Sequence, residues 1–250
     1  MSKLDELIET VRILRSPEGC PWDREQTHKT IRRNMLEEAY EAAEAIDEEN
    51  PEHLKEELGD VLLQVLLHSQ IADDNNEFDI QDVAKLLNDK LIHRHPHVFS
   101  KTKVKNSEEV IINWEKLKRD EKKERKRLLD GIPKTLPALS VVEKISKKVV
   151  QKGFEWKSTD DVYQCFLGEV EEFKNAETNQ DREMEFGDIL FSLVNLARRY
   201  KIDPERALSL ANNKFIKRFN KLEEIAEKPL ENLSYEEYEA LWIKAKELTN

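Results

Sequence analysis

The segment EELGDVLLQVLLH, residues 56–68, combines carboxylates, a glycine and an apolar run within one stretch of predicted helix. Glu57 and Asp60 are three positions apart, so they share a helix face. Gly59 lies between them, although a glycine inside a helix costs about 1 kcal/mol relative to alanine. The segment EMEFGDILFSLVN, residues 183–195, repeats the combination. A pattern that is costly for a helix and occurs twice indicates a function beyond packing.

The remainder of the chain also has the pattern of helices. Apolar residues recur at helical spacing, and no segment shows the alternation expected of a strand. We therefore predict an all-α fold. The predicted helices cover residues 3–15, 30–48, 52–72, 80–95, a segment that starts near 106, and then 138–152, 160–177, 182–200, 204–226 and 235–248.

The second half of the chain repeats the first half, which predicts a tandem repeat of one helical domain. Between the halves, a run of charged residues ends on a glycine and two prolines, which is typical of a linker. We predict an N-terminal domain of residues 1–125, a linker of residues 126–137 and a C-terminal domain of residues 138–250. The aligned pairs are Trp22 with Trp156, Glu38 with Glu169, Glu41 with Glu172, Glu57 with Glu185, Asp60 with Asp188, Lys90 with Lys214, Arg94 with Arg218 and Trp114 with Trp242.

The composition limits the possible partners and compartment. The 250 residues are 38% hydrophobic and 37% charged, with a formal net charge of −11, which argues against nucleic acid or an anionic membrane as a partner. The start of the chain lacks the apolar core of a signal peptide, and the longest uncharged run, residues 61–72, is too short to span a bilayer. Two cysteines, Cys20 and Cys165, fit a reduced cytosol. We predict a cytoplasmic protein.

Carboxylates on two consecutive helices form the candidate metal site. Glu37, Glu38 and Glu41 lie at helical spacing on one helix, and Glu57 and Asp60 do so on the next. Such a cluster repels itself unless its members are protonated or bind a cation. Hard oxygen ligands suit Mg²⁺, for which Mn²⁺ can substitute. Acidic helix faces are often merely solvated, but the recurrence of the pattern in both halves favours a metal site.

These residues resemble a known family. The segment LEEAYE followed by EELGD matches the EExxE and ExxD motifs of MazG-type nucleoside triphosphate pyrophosphohydrolases, and the resemblance covers essentially the whole chain. It implies a four-helix-bundle domain that dimerises, and Mg²⁺-dependent hydrolysis of NTP or dNTP to the monophosphate and pyrophosphate. House-cleaning of the nucleotide pool is the implied role. Further matching stretches are GCPWDREQTH, HRHPHVF, NWEKLKRDE and GIPKTLPAL.

The resemblance also implies which carboxylates act. In two-domain members the C-terminal repeat is taken as the main hydrolytic unit. Gly168 stands where a further Glu is expected there, whereas the N-terminal repeat has the complete set, so both repeats stay candidates. The implied catalytic and metal-binding residues of the C-terminal repeat are Glu169, Glu172, Glu185 and Asp188. The N-terminal metal ligands are Glu38, Glu41, Glu57 and Asp60, with Glu37 nearby.

Three residues outside the acidic set are predicted to bind the substrate. Lys214 and Arg218 are one helical turn apart and would supply positive charge to the phosphates. Trp242 would offer a flat surface to a base. Without the resemblance, the two cations are equally well read as an exposed basic edge, and the tryptophan as a packing residue.

Other functions remain as alternatives. The alternating histidines of HRHPHVF suggest zinc, but Pro96 interrupts them and no cysteine is near. A di-iron bundle needs an ExxH motif on two core helices, and the one such motif, Glu25 to His28, lies in or beside a loop. A non-enzymatic helical dimerisation or adaptor protein has solvated acidic faces. A dUTPase-like or phosphoribosyl-ATP pyrophosphohydrolase shares the carboxylate pattern but not the substrate.

The apolar surface of the predicted helices indicates self-association. The helix of residues 182–200 contains ILFSLVNLA and is apolar over much of its circumference. One small domain does not supply enough cover for such a surface. We predict an obligate homodimer.

Overall fold

The computed structural model describes residues 2–121 and 127–249, apart from the side chain of Arg119. These residues form helices and connecting turns, with no strand among them, so the all-α prediction is confirmed. A short 3₁₀ turn, Leu230–Asn232, precedes the last helix. The helices are α1 (Lys3–Arg15), α2 (Pro21–Glu25), α3 (Arg32–Asp47), α4 (Pro51–Asp74), α5 (Ile80–Arg94), α6 (Pro96–Phe99), α7 (Ser107–Asp120), α8 (Ala138–Val150), α9 (Thr159–Asn175), α10 (Asn179–Arg199), α11 (Pro204–Ile225) and α12 (Tyr235–Leu248).

The chain divides into two compact units, Met1–Lys122 and Lys123–Asn250. Helices α1 to α7 belong to the first unit and α8 to α12 to the second. The predicted end of the N-terminal domain and start of the linker, at residues 125 and 126, lie outside the described residues. The predicted domain limits therefore stay predictions.

The first unit is organised around the hairpin of α3 and α4, with α1 and α5 packed against α4. The hairpin turns sharply because Glu49 adopts a left-handed conformation with φ of 54°. Asn50 then caps α4 by accepting a hydrogen bond from the backbone N–H of His53 at 3.2 Å, and Pro51 occupies the first helical position. The core residues of this unit are Val11, Ile31, Leu66, Leu67 and Ile71.

The second unit is organised around the hairpin of α9 and α10. Helices α8 and α11 pack against α10 and against each other, and α12 packs on α11. Thr178 caps α10 by accepting a hydrogen bond from the backbone N–H of Asp181 at 3.1 Å. Arg198, near the end of α10, donates two hydrogen bonds to Glu155 at 2.7 and 2.8 Å and so holds the segment between α8 and α9. The arrangement of helices places α9 and α10 side by side, as α3 and α4 are in the first unit.

Local signals at the helix ends explain where the structure departs from the predicted boundaries. Helix α10 starts three residues earlier than expected, since Thr178 provides its cap. Helix α2 begins at Pro21, within a segment whose proline and glycine content suggested a loop. Pro96 likewise begins the short helix α6 directly after α5 ends. Among the described helices, none combines the length and apolar character required to cross a bilayer.

Candidate active site

The first acidic cluster lies between α3 and α4, where Glu38, Glu41 and Glu57 converge. One carboxylate oxygen from each residue lies within 4.8 Å of the corresponding oxygens of the other two. On α3, the buried Ala42 and Ala45 lie on the same helix face as Glu38 and Glu41. Burial of these small side chains therefore orients the two carboxylates as well. Three of the predicted carboxylates therefore lie together, and their role as a site stays a prediction.

Burial and like charge together shape the electrostatics of this cluster. Partial burial, and then the neighbouring charges of Asp60, Glu41 and Glu57, raise the pKa of Glu38. Asp60 is therefore close enough to act on Glu38, although its oxygens are outside the group that lies within 4.8 Å. Glu37 is exposed on α3 and is also outside that group. The cluster thus has three convergent carboxylates and a fourth beside them.

The second acidic cluster repeats this geometry between α9 and α10. One oxygen each of Glu169, Glu172 and Glu185 lies within the same 4.8 Å limit. Partial desolvation, followed by the charges of Glu172, Asp188 and Glu169, raises the pKa of Glu185. Asp188 is exposed and occupies the position that Asp60 has in the first unit. The i, i+3 pairs predicted from the sequence thus produce one equivalent cluster in each unit.

The donor atoms of the clusters fit a divalent cation. Glu57 is only 9% exposed, and its Oε2 atom is buried without a hydrogen-bond partner among the described residues. A buried carboxylate oxygen without a partner is unfavourable unless a ligand or water satisfies it. Three hard oxygen donors with their charges close together are the type of site that binds Mg²⁺, Mn²⁺ or Ca²⁺. Among the described residues, these two clusters are the groups of acidic, cysteine or histidine side chains that are close enough to share a metal ion.

The predicted substrate-binding residues lie on a different helix pair from the carboxylates. Lys214 is exposed on α11, Arg218 is half-buried one turn later, and Trp242 is half-buried on α12. The ring of Trp242 packs against that of Phe215, with the ring centroids 5.2 Å apart. The structure therefore brings the tryptophan to the helix that carries the two cations, but their role in binding a substrate stays a prediction.

Two contacts of the acidic clusters were missed by the sequence analysis. His53 lies 3.2 Å from Glu57, between its Nε2 atom and Oε1 of the carboxylate. In the second unit, Cys165 Sγ lies 3.7 Å from Oε1 of Glu169, and burial, followed by the charge of Glu169, raises the pKa of this thiol. The thiol is consequently protonated at neutral pH and donates to the carboxylate. In both pairs the i, i+4 spacing on a helix was the available signal.

The histidines of HRHPHVF contact other groups at the end of α5. His95 ends α5, where its Nδ1 atom is 2.6 Å from the carbonyl oxygen of Leu91, and its ring packs edge-on against Trp114. The centroids of the His95 and His97 rings are 5.6 Å apart and tilted. Within the described residues, these histidines belong to no group that could share a metal. His95 completes the end of α5 and its contact with α7.

Comparisons with known proteins identify relatives over almost the whole chain. The model of the MazG nucleotide pyrophosphohydrolase domain matches residues 26–99. The nucleoside triphosphate pyrophosphohydrolase/pyrophosphatase MazG of Thermotoga maritima is 46% identical over 97% of this chain and 95% of its own length. The nucleoside triphosphate pyrophosphohydrolase of Escherichia coli K12 is 40% identical over 98% of each chain. The uncharacterized protein YabN of Bacillus subtilis is 48% identical over 95% of this chain, which spans half of that longer protein.

The match to the family model includes α3 and α4, and therefore the first acidic cluster with Glu38, Glu41 and Glu57. The full-length relatives extend the similarity over the second unit and its equivalent cluster. Fold, clusters and relatives agree, and the chain belongs to the MazG family of nucleotide pyrophosphohydrolases, which are hydrolases acting on phosphoric anhydrides.

Proposed function

We propose that this protein hydrolyses nucleoside triphosphates, ribo or deoxy, to the monophosphate and pyrophosphate in a Mg²⁺-dependent reaction. The observation that carries the proposal is the convergence of three carboxylates between two packed helices in each unit. The names of the full-length relatives from Thermotoga maritima and Escherichia coli support the same substrate class. A role in house-cleaning of the nucleotide pool follows if the protein accepts non-standard nucleotides.

The second unit is proposed to be the main hydrolytic site, with Mg²⁺ held by Glu169, Glu172, Glu185 and Asp188. Bound Mg²⁺ would neutralise charge on the triphosphate and lower the pKa of coordinated water. The chain's own contribution is to fix the carboxylates before the substrate arrives, since both helices are tied by buried packing. Asp188, which lies outside the convergent group, is proposed to accept a proton from the attacking water on a carboxylate oxygen.

The substrate is proposed to approach through the side that carries Lys214, Arg218 and Trp242. A triphosphate needs positive charge to reach an acidic cluster, and Lys214 and Arg218 would provide hydrogen bonds to its outer phosphates. Trp242 would stack on the base, a contact that favours no particular base. Broad specificity for the base is the expected consequence.

Gly59 on α4 and Gly187 on α10, the glycines next to the clusters, face open space rather than neighbouring side chains. Apart from its chain neighbours and the nearby backbone of its own helix, a Cβ atom placed on Gly59 or Gly187 would meet no atom of the described residues within 4 Å. Packing within the chain therefore does not require these glycines, despite the helix stability that each sacrifices. We interpret the open backbone as the surface that a substrate or a second copy of the chain approaches closely.

The protein is also proposed to be a homodimer, because its main hairpins expose large apolar side chains. On α9 and α10, Leu167 is 43% exposed, Met184 62% and Phe186 52%. Surfaces of this kind are usually covered by another protein. We expect sedimentation equilibrium at micromolar concentration to give the mass of a dimer; a stable monomer under those conditions would contradict the proposal.

The products of the reaction give the first test of the proposed chemistry. We expect incubation with a panel of canonical and modified NTPs and dNTPs, in the presence of Mg²⁺, to yield monophosphate and pyrophosphate as resolved by chromatography. Hydrolysis that breaks the anhydride bond between the α- and β-phosphates releases the β- and γ-phosphates together as pyrophosphate. Release of the nucleoside diphosphate and orthophosphate would refute the mechanism. If no nucleotide of the panel is hydrolysed, a non-enzymatic protein would be favoured.

Isosteric neutralisation of single carboxylates tests which unit carries turnover. We expect Glu172→Gln or Asp188→Asn to reduce kcat by about two orders of magnitude or more, because each removes a proposed ligand or proton acceptor while keeping its size. The equivalent substitutions in the first unit, Glu41→Gln and Asp60→Asn, should leave most of the activity. Steady-state hydrolysis measures the effect, and circular dichroism establishes that each variant is folded.

The two sets of variants serve as controls for each other, since each exchanges the same chemical groups in an equivalent cluster. Gly168 is the reason to measure both, because the second unit lacks one Glu that the first unit has as Glu37. Loss of turnover only in the first-unit variants would move the hydrolytic site to that unit. Unchanged turnover in all four variants would refute the role of the carboxylate clusters.

The raised pKa of Glu38 predicts how pH and metal change the stability of the first unit. The pKa of Glu38 is higher in the folded protein than in the unfolded chain, where a glutamate has a pKa of about 4.3. The group therefore contributes stability below about pH 4.3, and this contribution is lost as pH rises through the folded pKa. In EDTA at neutral pH, Glu38→Gln should therefore raise Tm, by about 1–3 °C, and the gain should vanish near pH 4. In millimolar Mg²⁺ the order should reverse, because the variant lacks a ligand.

Differential scanning calorimetry of both proteins in EDTA and in Mg²⁺ measures this reversal. Glu44→Gln, an exposed substitution on α3, is the matched control and should give the same difference in both buffers. If Glu38→Gln is destabilising to the same extent with and without Mg²⁺, the first cluster does not bind the cation.

A further inference from the structure

His53 forms a bridge between two carboxylates at the start of α4. Its Nδ1 atom lies 2.9 Å from Oε2 of Glu48, and its Nε2 atom lies 3.2 Å from Oε1 of Glu57. The imidazole is one-third exposed, whereas the Glu57 side chain is 11% exposed. His53 therefore contacts Glu57, the most buried member of the first acidic cluster, but is not itself part of the group that Glu57 forms with Glu38 and Glu41.

We propose that His53 is a positioning residue that orients Glu57 for cation binding at the first cluster. The inference rests on the proposed metal-binding function and deepens it, since it assigns a separate role to each oxygen of one carboxylate. Oε1 is held by His53, and Oε2, which is buried and makes no hydrogen bond among the described residues, is the oxygen left for the cation.

The fold fixes His53 in this place through the turn between α3 and α4. Asn50 caps α4 through the backbone N–H of His53, and Pro51 sets the first helical turn, so the backbone position of the histidine is determined. Glu48 lies on the other side of the same turn, at the end of α3. The bridge thus connects the ends of both helices that supply the cluster. A ligand whose outer oxygen is held by a neighbouring side chain loses less rotamer freedom when it binds a metal.

The second unit has a different residue at the equivalent place, so the two clusters are not equally supported. The alignment that matches Glu57 with Glu185 places Asp181 at the position of His53. Asp181 interacts with Thr178 at the cap of α10, and its charge contributes to the raised pKa of Glu185. An imidazole nitrogen therefore lies next to Glu57 of the first cluster, whereas a further carboxylate lies near the second cluster.

The proposal can be tested with two amides that imitate different nitrogens of the imidazole. In His53→Gln, the side-chain amide nitrogen can occupy the place of Nε2 and still donate to Glu57. In His53→Asn, the amide nitrogen lies near the place of Nδ1 and can reach Glu48 only. If His53 orients Glu57, the glutamine variant should retain cation binding and the asparagine variant should lose it. A purely structural role in the helix turn predicts the opposite order.

The experiment uses the full-length chain with Glu172→Gln and Glu185→Gln, so that the second cluster no longer contributes. Titration with Mn²⁺, followed by electron paramagnetic resonance of the free ion, measures binding to the first cluster directly. We expect His53→Asn and His53→Ala to weaken binding by about 10- to 100-fold. His53→Gln should stay close to the parent, as should His93→Ala, which removes an exposed histidine elsewhere in the same unit. Thermal melts in EDTA establish that each variant is folded.

Different outcomes overturn different parts of the account. Equal binding by the glutamine and asparagine variants, or tighter binding by the asparagine variant, would refute the positioning role while leaving the metal site intact. Absence of Mn²⁺ binding by the parent would refute the first cluster as a metal site, and the inference with it. The hydrolytic function proposed for the second unit would then be judged separately by the product assay.

Discussion

The repulsion among carboxylates held between two packed helices is the constraint around which each unit is organised. The helix faces that carry Glu38, Glu41 and Glu57 continue into the buried contacts of the hairpin, which keep the backbones of these residues close together. The apolar packing supplies the free energy that keeps these groups close together. Burial first, and then the neighbouring negative charges, raise the pKa of Glu38. A site of this kind is prepared for a cation before the cation arrives, which is the condition for fast metal-assisted chemistry.

The two units place the same carboxylate geometry in different surroundings. The first unit supports Glu57 with His53 and buries the remaining oxygen. In the second unit, the thiol of Cys165 contacts Glu169, and the negatively charged Asp181 acts on Glu185. The two clusters are therefore more alike in their convergent carboxylates than in the residues around them. This difference supports the proposal that the two clusters differ in cation affinity and that one unit carries most of the hydrolysis.

Much of the fold could be predicted from the sequence, because helices carry their own local signals. The helical spacing of the apolar residues and the i, i+3 spacing of Glu38 with Glu41 were sufficient to predict helices and a shared face. The participation of Asp60 in the convergent group was predicted but is not seen, because distances between side-chain oxygens depend on rotamers and helix crossing. The bridge made by His53 depends on the turn at Glu49, which has a left-handed conformation. Because this position is not a glycine, the turn had no signal in the sequence.

The central claim is that each carboxylate cluster is a cation site, and diffraction from crystals of the full chain grown with Mn²⁺ tests it most directly. Anomalous scattering locates Mn²⁺ without assumptions about the protein atoms around it. The account predicts an anomalous peak in contact with Glu38, Glu41 and Glu57, and another in contact with Glu169, Glu172 and Glu185. Clusters that contain only water, or that pair with lysine and arginine side chains at saturating Mn²⁺, would contradict it.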